Sequence, residues 1–415
     1  MPSSSTAATA FSERLAQAAG AALDGPPQQL SGGASRETWR FAAGGRPMIA
    51  QLRRVQPDPP RPPQAPLLRA AAAAGVPVAV AEVVADGLDD PVLGSEWTIV
   101  EGLPGSADPR AILDANDAAL LDQVAAALAA VHRMPAPESA VPDVLADLRA
   151  AHEALGQPHP VFDAAFAALE RDRGQVGPGA GDAFVHGDFR MGNLLVDGDR
   201  LTAVLDWELA HRGDPLEDLG WLCVRAWRFH RPDRPAAGLG TRDELVAAYE
   251  RHAGRPVDRD ALAWWELYGT LRWGVITVLQ WASHPGSLEH AVIGRRAAEV
   301  EWDLLALLDP AGEPAAAPSA AAPPPSLHDR PTAPEILERV RSTLGDELLP
   351  ELEGRAAFQL RVALRALGIV RRELEHDAAH RALAAELAGR TDFEALRALV
   401  RGKLEAANPR HLEEP

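Results

Sequence analysis

The sequence predicts an α+β protein of two lobes, an antiparallel-sheet N-lobe and a mostly helical C-lobe, followed by a separate all-α domain. Three observations carry that expectation. Strand-like, turn-rich text from Leu30 to Val100 gives way after Gly102 to apolar residues at helical spacing. One strand-rich patch, Ala183 to Trp207, interrupts the helices. Pro310 to Pro325 is almost wholly Ala, Pro and Gly, the composition of a linker, and all 10 tryptophans lie at or before Trp302. The expected division is an N-terminal extension with a short helix at 1–27, an N-lobe at 28–102 and a C-lobe at 103–309. A linker at 310–326 and a helical bundle at 327–415 complete it.

In chain order, a short helix is expected around Phe11 to Leu23. Ser31-Gly32-Gly33-Ala34-Ser35 is a glycine turn, Glu37 to Phe41 a strand, Gly44-Gly45 a hairpin turn and Met48 to Arg53 a second strand. Pro57 to Pro66 is too rich in proline for regular structure, and Leu67 to Ala74 reads as a helix stopped by Gly75 and Pro77. Val78 to Val84 and Glu96 to Val100 are further strand candidates. Helices follow over Ala118 to His132, Val144 to Leu155 and Val161 to Arg171, and again from the end of the strand patch to Leu308. Past the linker, Thr332-Ala333-Pro334-Glu335 and Thr391-Asp392-Phe393-Glu394 each match a capping box, and Ala356 to Leu374 is a long helix between them.

Composition narrows the function. A formal net charge of −18 argues against binding nucleic acid over a broad surface. The single cysteine, Cys223, excludes an intramolecular disulfide and any multi-thiolate metal site, and it fits a reducing compartment. No basic patch with an apolar core follows Met1, and the apolar stretch Ala70 to Ala85 is broken by Gly75, Pro77 and Glu82. The expectation is therefore a cytoplasmic protein without membrane partners. His132, His211, His230 and His284 show no metal-ligand spacing and read as structural or surface residues, and the dense tryptophans of the second lobe read mostly as core.

The chemistry is written in Val185-His186-Gly187-Asp188-Phe189-Arg190-Met191-Gly192-Asn193-Leu194-Leu195-Val196 and in Asp206-Trp207-Glu208. An apolar strand, a polar loop and a hairpin bring Asp188, Asn193 and Asp206 to one place. Phosphoryl transfer needs that set: a carboxylate to orient and deprotonate the acceptor hydroxyl, and an amide oxygen plus a second carboxylate to hold Mg²⁺ against phosphate. Kinases space the Asp and Asn by four residues and follow them with an Asp on the next strand, as here.

His186-Gly187-Asp188 with Asn193 and Asp206-Trp207-Glu208 resembles the aminoglycoside phosphotransferase and choline-kinase-like family, distant relatives of protein kinases. It is most similar to the branch associated with acyl-CoA dehydrogenases, over roughly residues 28–308. The resemblance implies a protein-kinase-like fold and transfer from ATP or GTP with Mg²⁺. It makes Asp188 the catalytic base, Asn193 and Asp206 the metal ligands and His186 a brace for the loop, and Arg190 joins the catalytic candidates. Asp218 would anchor the loop from a helix start. Aminoglycosides, amino alcohols, sugars or hydroxyacyl thioesters are the acceptors implied, with hydroxyacyl-CoA-type acceptors favoured by that branch. The segment 327–415 resembles a small uncharacterised domain appended to it, with homo-oligomer or partner contacts as its expected role.

For the nucleotide, Gly33 and Ser35 of the glycine run would lay backbone N–H groups over the phosphates. The family's phosphate-contacting lysine cannot be lysine here, since Lys403 is the only one in the chain. Arg53 takes the role by strand alternation, or Arg54 if the register slips by one. The glutamate that normally holds this cation aligns with Gln64, which cannot form an ion pair; Glu82 is another acid that could serve. Glu101 and Leu103, in the segment resembling the lobe connection, would meet the purine edge. The departure at Gln64 keeps a second expectation open, a nucleotide-binding pseudokinase that docks a partner through its C-terminal helices.

Overall fold

The computed structural model describes residues 4–30, 36–54, 63–73, 82–115, 118–136, 141–174, 181–284, 286–312 and 331–413. The first helix, α1 (Ser4–Ala19), precedes β1 (Gln28–Gln29), β2 (Glu37–Ala43), β3 (Arg46–Arg53), α2 (Gln64–Ala73), β4 (Val83–Asp90) and β5 (Gly94–Glu101). These strands form one sheet in the order β1-β2-β3-β5-β4, with every neighbour antiparallel. Alternation along β3 sends Met48, Ala50 and Leu52 into a core with Leu15, Phe41, Leu93, Trp97 and Ile99. Arg53, the residue after Leu52, therefore lies on the opposite face.

The chain continues through α3 (Pro109–Ala115), α4 (Ala118–Val131), α5 (Val144–Ala154) and α6 (Pro160–Asp172). Four short strands follow, β6 (Ala183–Val185), β7 (Leu194–Asp197), β8 (Arg200–Val204) and β9 (His211–Gly213). They pair as two antiparallel ribbons, β6 with β9 and β7 with β8. Next come α7 (Leu216–Cys223), α8 (Arg242–Ala253), α9 (Arg259–Ser283), α10 (Leu288–Gly294) and α11 (Ala297–Leu308). The last helices are α12 (Ala333–Ser342), α13 (Gly354–Glu386) and α14 (Phe393–Ala407). An antiparallel N-terminal sheet followed by helices is the mixed α+β, kinase-like arrangement expected.

By Cα packing the chain divides into two units, 1–141 with 178–262 and 142–177 with 263–415. The first holds the sheet and both ribbons. The second groups the C-terminal helices with α11, a grouping that cuts across the lobe boundaries read from the sequence. The reason is polar as well as apolar: Lys403 Nζ sits 2.7 Å from both carboxylate oxygens of the buried Glu301, Asn408 donates to Glu299, and His411 pairs with Asp303.

Several expected elements shift. The first helix ends at Ala19, and Leu23 instead forms a bridge to Ala43. Of the strand expected at 78–84, residues 78–81 lie outside the described residues; β4 begins at Val83 and runs to Asp90, through text too acidic and glycine-bearing to read as a strand. The cap of α14 is Asp392, whose side chain accepts from Ala395 N–H, so Thr391 is not the capping residue. At α12 the Glu335 carboxylate accepts from Thr332 N–H at 2.7 Å, as a capping box requires.

Candidate active site

The loop between β6 and β7 turns on Gly187, which has φ +79° and lies so close to Leu209 that a Cβ would meet its carbonyl oxygen at 2.4 Å. Only glycine fits there. Asp218, at the start of α7 and fully buried, accepts from His186 N–H at 2.7 Å and Gly187 N–H at 2.9 Å. His132 Nε2 lies 3.2 Å from the same carboxylate, and His132 Nδ1 is 2.7 Å from Tyr249 Oη. Burial opposes the charge on Asp218, but the His132 hydrogen bond and charge, with the loop amide, hold its carboxyl below the usual range.

His186 is wholly enclosed. Its Nδ1 accepts from Asp188 N–H at 3.2 Å, so the proton sits on Nε2, which donates to Leu205 O at 3.1 Å. Burial outweighs the nearby carboxylates and lowers its pKa. Both nitrogens are engaged and the ring stays neutral; His186 holds the loop's shape and has no free atom for proton transfer.

Asp188 is fixed from three sides. Asn193 Nδ2 donates to Oδ2 at 2.7 Å and to the Asp188 carbonyl at 2.9 Å. Arg190 Nε and Trp221 Nε1 donate to Oδ1 at 3.0 and 2.9 Å, while the Arg190 guanidinium lies 4.6 Å above the Trp227 ring. Gly192, at φ +101°, leaves room for it, since a Cβ there would stand 2.9 Å from Arg190 Nη1. Asp206 ends the second ribbon with φ 61°, a left-handed backbone that is uncommon for residues with side chains and costs of order 1–3 kcal/mol. Burial, then Glu208 and Asp188, push its carboxyl up to about 6. The carboxylates of Asp206, Glu208 and Asp188 thus repel one another, with the charges of Arg190 and Arg36 opposing that repulsion. A hard divalent cation such as Mg²⁺ fits that donor set and would offset the repulsion.

On the sheet side, Arg53 is nearly inaccessible and lies directly across from Glu96 in the β3–β5 register. Its Nη1 is 2.8 Å from Glu96 Oε2 as an ion pair, off the line a hydrogen bond requires, and its Nη2 donates to Glu208 Oε2 at 3.1 Å. Arg36 joins them through Glu96 Oε1 at 3.0 Å. Its Nε, 3.5 Å from Glu208, and its Nη1 are buried without a hydrogen-bond partner among the described residues. Arg54 points elsewhere: it is exposed and bonds Glu37 and the Val92 carbonyl. The acid that holds Arg53 is therefore Glu96 with Glu208. Gln64 opens α2 and contributes only its backbone N–H to Glu96 at 2.9 Å, and Glu82 lies near Arg46 on the surface. Neither Glu96 nor Arg36 was read from the sequence; a signal was there, since Glu96 falls on a strand candidate that pairs with the Arg53 strand.

Gly33 and Ser35 lie outside the described residues. Glu101 closes β5, its N–H bound to Glu82 O and that of Gly102 to Pro47 O, so Leu103 is the first residue past the sheet's bonding. The structure gathers Asp188, His186, Arg190, Asn193, Asp206 and Arg53 into the first unit, the last through Glu208.

A family model described as the phosphotransferase enzyme family matches residues 27–256, more than half of the chain. The chain belongs to that family. A domain of unknown function, DUF6285, matches residues 350–408. Among curated proteins the phosphotransferase is 34% identical over 83 residues to mouse (Mus musculus) acyl-CoA dehydrogenase family member 10, covering 17% of this chain and 8% of that protein. Its fold is shared with aminoglycoside phosphotransferase APH(4)-Ia in complex with AMP-PNP and hygromycin B (TM-score 0.50, 20% identity, 73% of this chain and 99% of that one). A choline/ethanolamine kinase family protein from Mesorhizobium loti matches equally (TM-score 0.50, 20% identity, 69% and 92%). Among the described residues no helix is long and apolar enough to cross a membrane.

Proposed function

We propose that this phosphotransferase moves the γ-phosphoryl group of ATP or GTP onto a small-molecule hydroxyl, with Asp188 as the base. The acceptor hydroxyl gives its proton to Asp188, its oxygen bonds to the γ-phosphorus, and the bond to the β–γ bridging oxygen breaks to release the nucleoside diphosphate. Arg190 and Trp221 hold Asp188 in position on one oxygen and Asn193 on the other, which is the positioning that dominates this chemistry. Magnesium, held by Asn193 and Asp206, would supply charge neutralisation at the phosphate oxygens. Arg53 and Arg36 carry donors left over after their ion pairs, the kind of groups that grip phosphate, with Gly33 and Ser35 from the glycine run. Leu103, beyond the Glu101 strand end, would meet the purine. In this reading 28–102 is the nucleotide lobe and 103–309 supplies catalysis and acceptor.

The observation that carries it is the Asp188–Asn193 hydrogen bond at 2.7 Å beside a carboxyl, Asp206, raised by burial and then by the neighbouring Glu208 and Asp188. A hydroxyacyl-CoA thioester is the first acceptor to try, supported by the segment shared with a protein named for acyl-CoA dehydrogenases; aminoglycosides and amino alcohols follow. ADP or GDP release over that panel should require Mg²⁺ and fall about 10²- to 10⁴-fold in Asp188→Asn. Nucleotide that raises the melting temperature without turnover on any acceptor would support the pseudokinase reading instead. Residues 333–412, with Ile336, Val340 and Phe358 exposed, are proposed to make oligomer or partner contacts.

A further inference from the structure

The C-terminal helices carry none of the residues proposed for phosphoryl transfer, yet they assemble three side chains of metal-ligand type. His376 and His380 stand four residues apart on α13, one turn and one face. Glu405 comes from α14. Each offers one ligand atom, and the three atoms lie within 4.8 Å of one another, with all three side chains partly buried. The imidazoles are stacked at 5.3 Å and 24°.

One distance separates two interpretations. His380 Nε2 lies 3.4 Å from Glu405 Oε2. A charge-assisted N–H···O bond closes to about 2.7–2.9 Å, so an ion pair alone should be tighter. Two ligands bonded at about 2.0–2.1 Å to one tetrahedral ion stand roughly 3.3 Å apart. The gap between His380 and Glu405 is that of a tetrahedron's edge. The carboxylate is also oriented: Arg401 Nε approaches the other oxygen, Oε1, at 3.5 Å, leaving Oε2 for the histidines.

We propose that His376, His380 and Glu405 form a site for Zn²⁺ or a similar late first-row divalent ion, with water in the fourth position, that clips α13 to α14. Two imidazoles and one carboxylate select such ions over Mg²⁺ or Ca²⁺, which take oxygen donors. The site is chemically distinct from the carboxylates around Asp206, which include no histidine.

The test uses the full chain without a polyhistidine tag, stripped with a chelator and titrated with Zn²⁺ by calorimetry and by thermal unfolding. One equivalent should bind and raise the melting temperature. His376→Ala should weaken binding at least about tenfold while leaving the metal-free melting temperature near wild type; His376→Gln provides a second variant if the first folds poorly. Co²⁺ should give the visible absorption of a tetrahedral site, lost in the same variants. Asp206→Asn should keep the Zn²⁺ response. Zn²⁺ affinity unchanged by both His376 substitutions, or abolished by Asp206→Asn, overturns the proposal, and so does the absence of any melting shift, which a plain His380–Glu405 ion pair predicts.

Discussion

Arg53 shows how far a single residue is legible. For the proposed nucleotide role, the absence of lysine before Lys403 leaves arginine as the cation, and alternation along β3 picks Arg53 over Arg54. Its partner is another matter. Helix position suggests Gln64, but a cross-strand acid is found only once the β3–β5 register is known, and register is a tertiary property. Glu96→Gln leaves Arg53 and Arg36 buried with one carboxylate fewer, and should destabilise the protein by about 3–5 kcal/mol in urea unfolding. Gln64→Glu should not compensate, because Gln64 meets Glu96 through its backbone and a new carboxylate would face an existing one. His211 sets a pH dependence. Burial opposes its charge, yet the hydrogen bond and charge of Glu217 raise its pKa to about 9 from 6.5. Its folded value is the higher one, so the stabilisation is complete below pH 6.5 and fades as pH climbs through 9. Urea midpoints should decline across that window in the wild type and stay flatter in His211→Gln.

At the scale of elements, the His186–Asn193 loop is held from three helices: Asp218 at the start of α7, His132 just past α4 and Tyr249 on α8. Asp218→Asn replaces one accepting oxygen with a donor and frees a loop amide; kcat should fall at least about tenfold with little change in nucleotide KM, read in the ADP-release assay. Tyr249→Phe should cost about 0.5–1.5 kcal/mol of stability. The His186–Asn193 loop was legible because its residue spacing is local. The clasp behind it was not, since His132 and Tyr249 lie 117 residues apart and neither has a distinguishing neighbourhood in the chain. The same limit hid the α13 histidines: their spacing of four is local, but Glu405 on another helix gives it meaning. Helices α4, α5 and α6 were read closely, whereas α1 starts earlier and α13 ends later than expected. Strand β4 and the α14 cap were displaced too, because an acidic solvent-facing strand lacks the apolar period and adjacent Thr391 and Asp392 compete for one capping role.

Across the whole molecule, the C-terminal helices share a unit with 263–308, so they are expected to be required for that unit's stability. A chain ended at 312 should unfold at lower temperature or aggregate, followed by light scattering, because α11 loses the α14 face packed against it together with the Lys403–Glu301 pair. Within the full chain, Lys403→Met isolates that contact; burial already raises the Glu301 pKa, and with Lys403 itself partly exposed the loss should be about 1–3 kcal/mol. The Ala/Pro-rich stretch reads as a linker from composition, but which helices pack together was not legible, since composition carries no record of pairing. That one lysine has a practical consequence. Amine-reactive acyl-phosphate nucleotides tag kinases by acylating a lysine beside the triphosphate; a guanidinium stays protonated and does not react this way. With Arg53 proposed for that role and Lys403 already committed to Glu301, such reagents should leave the proposed nucleotide site untagged, and proteome surveys built on them would pass over it even when it is fully loaded.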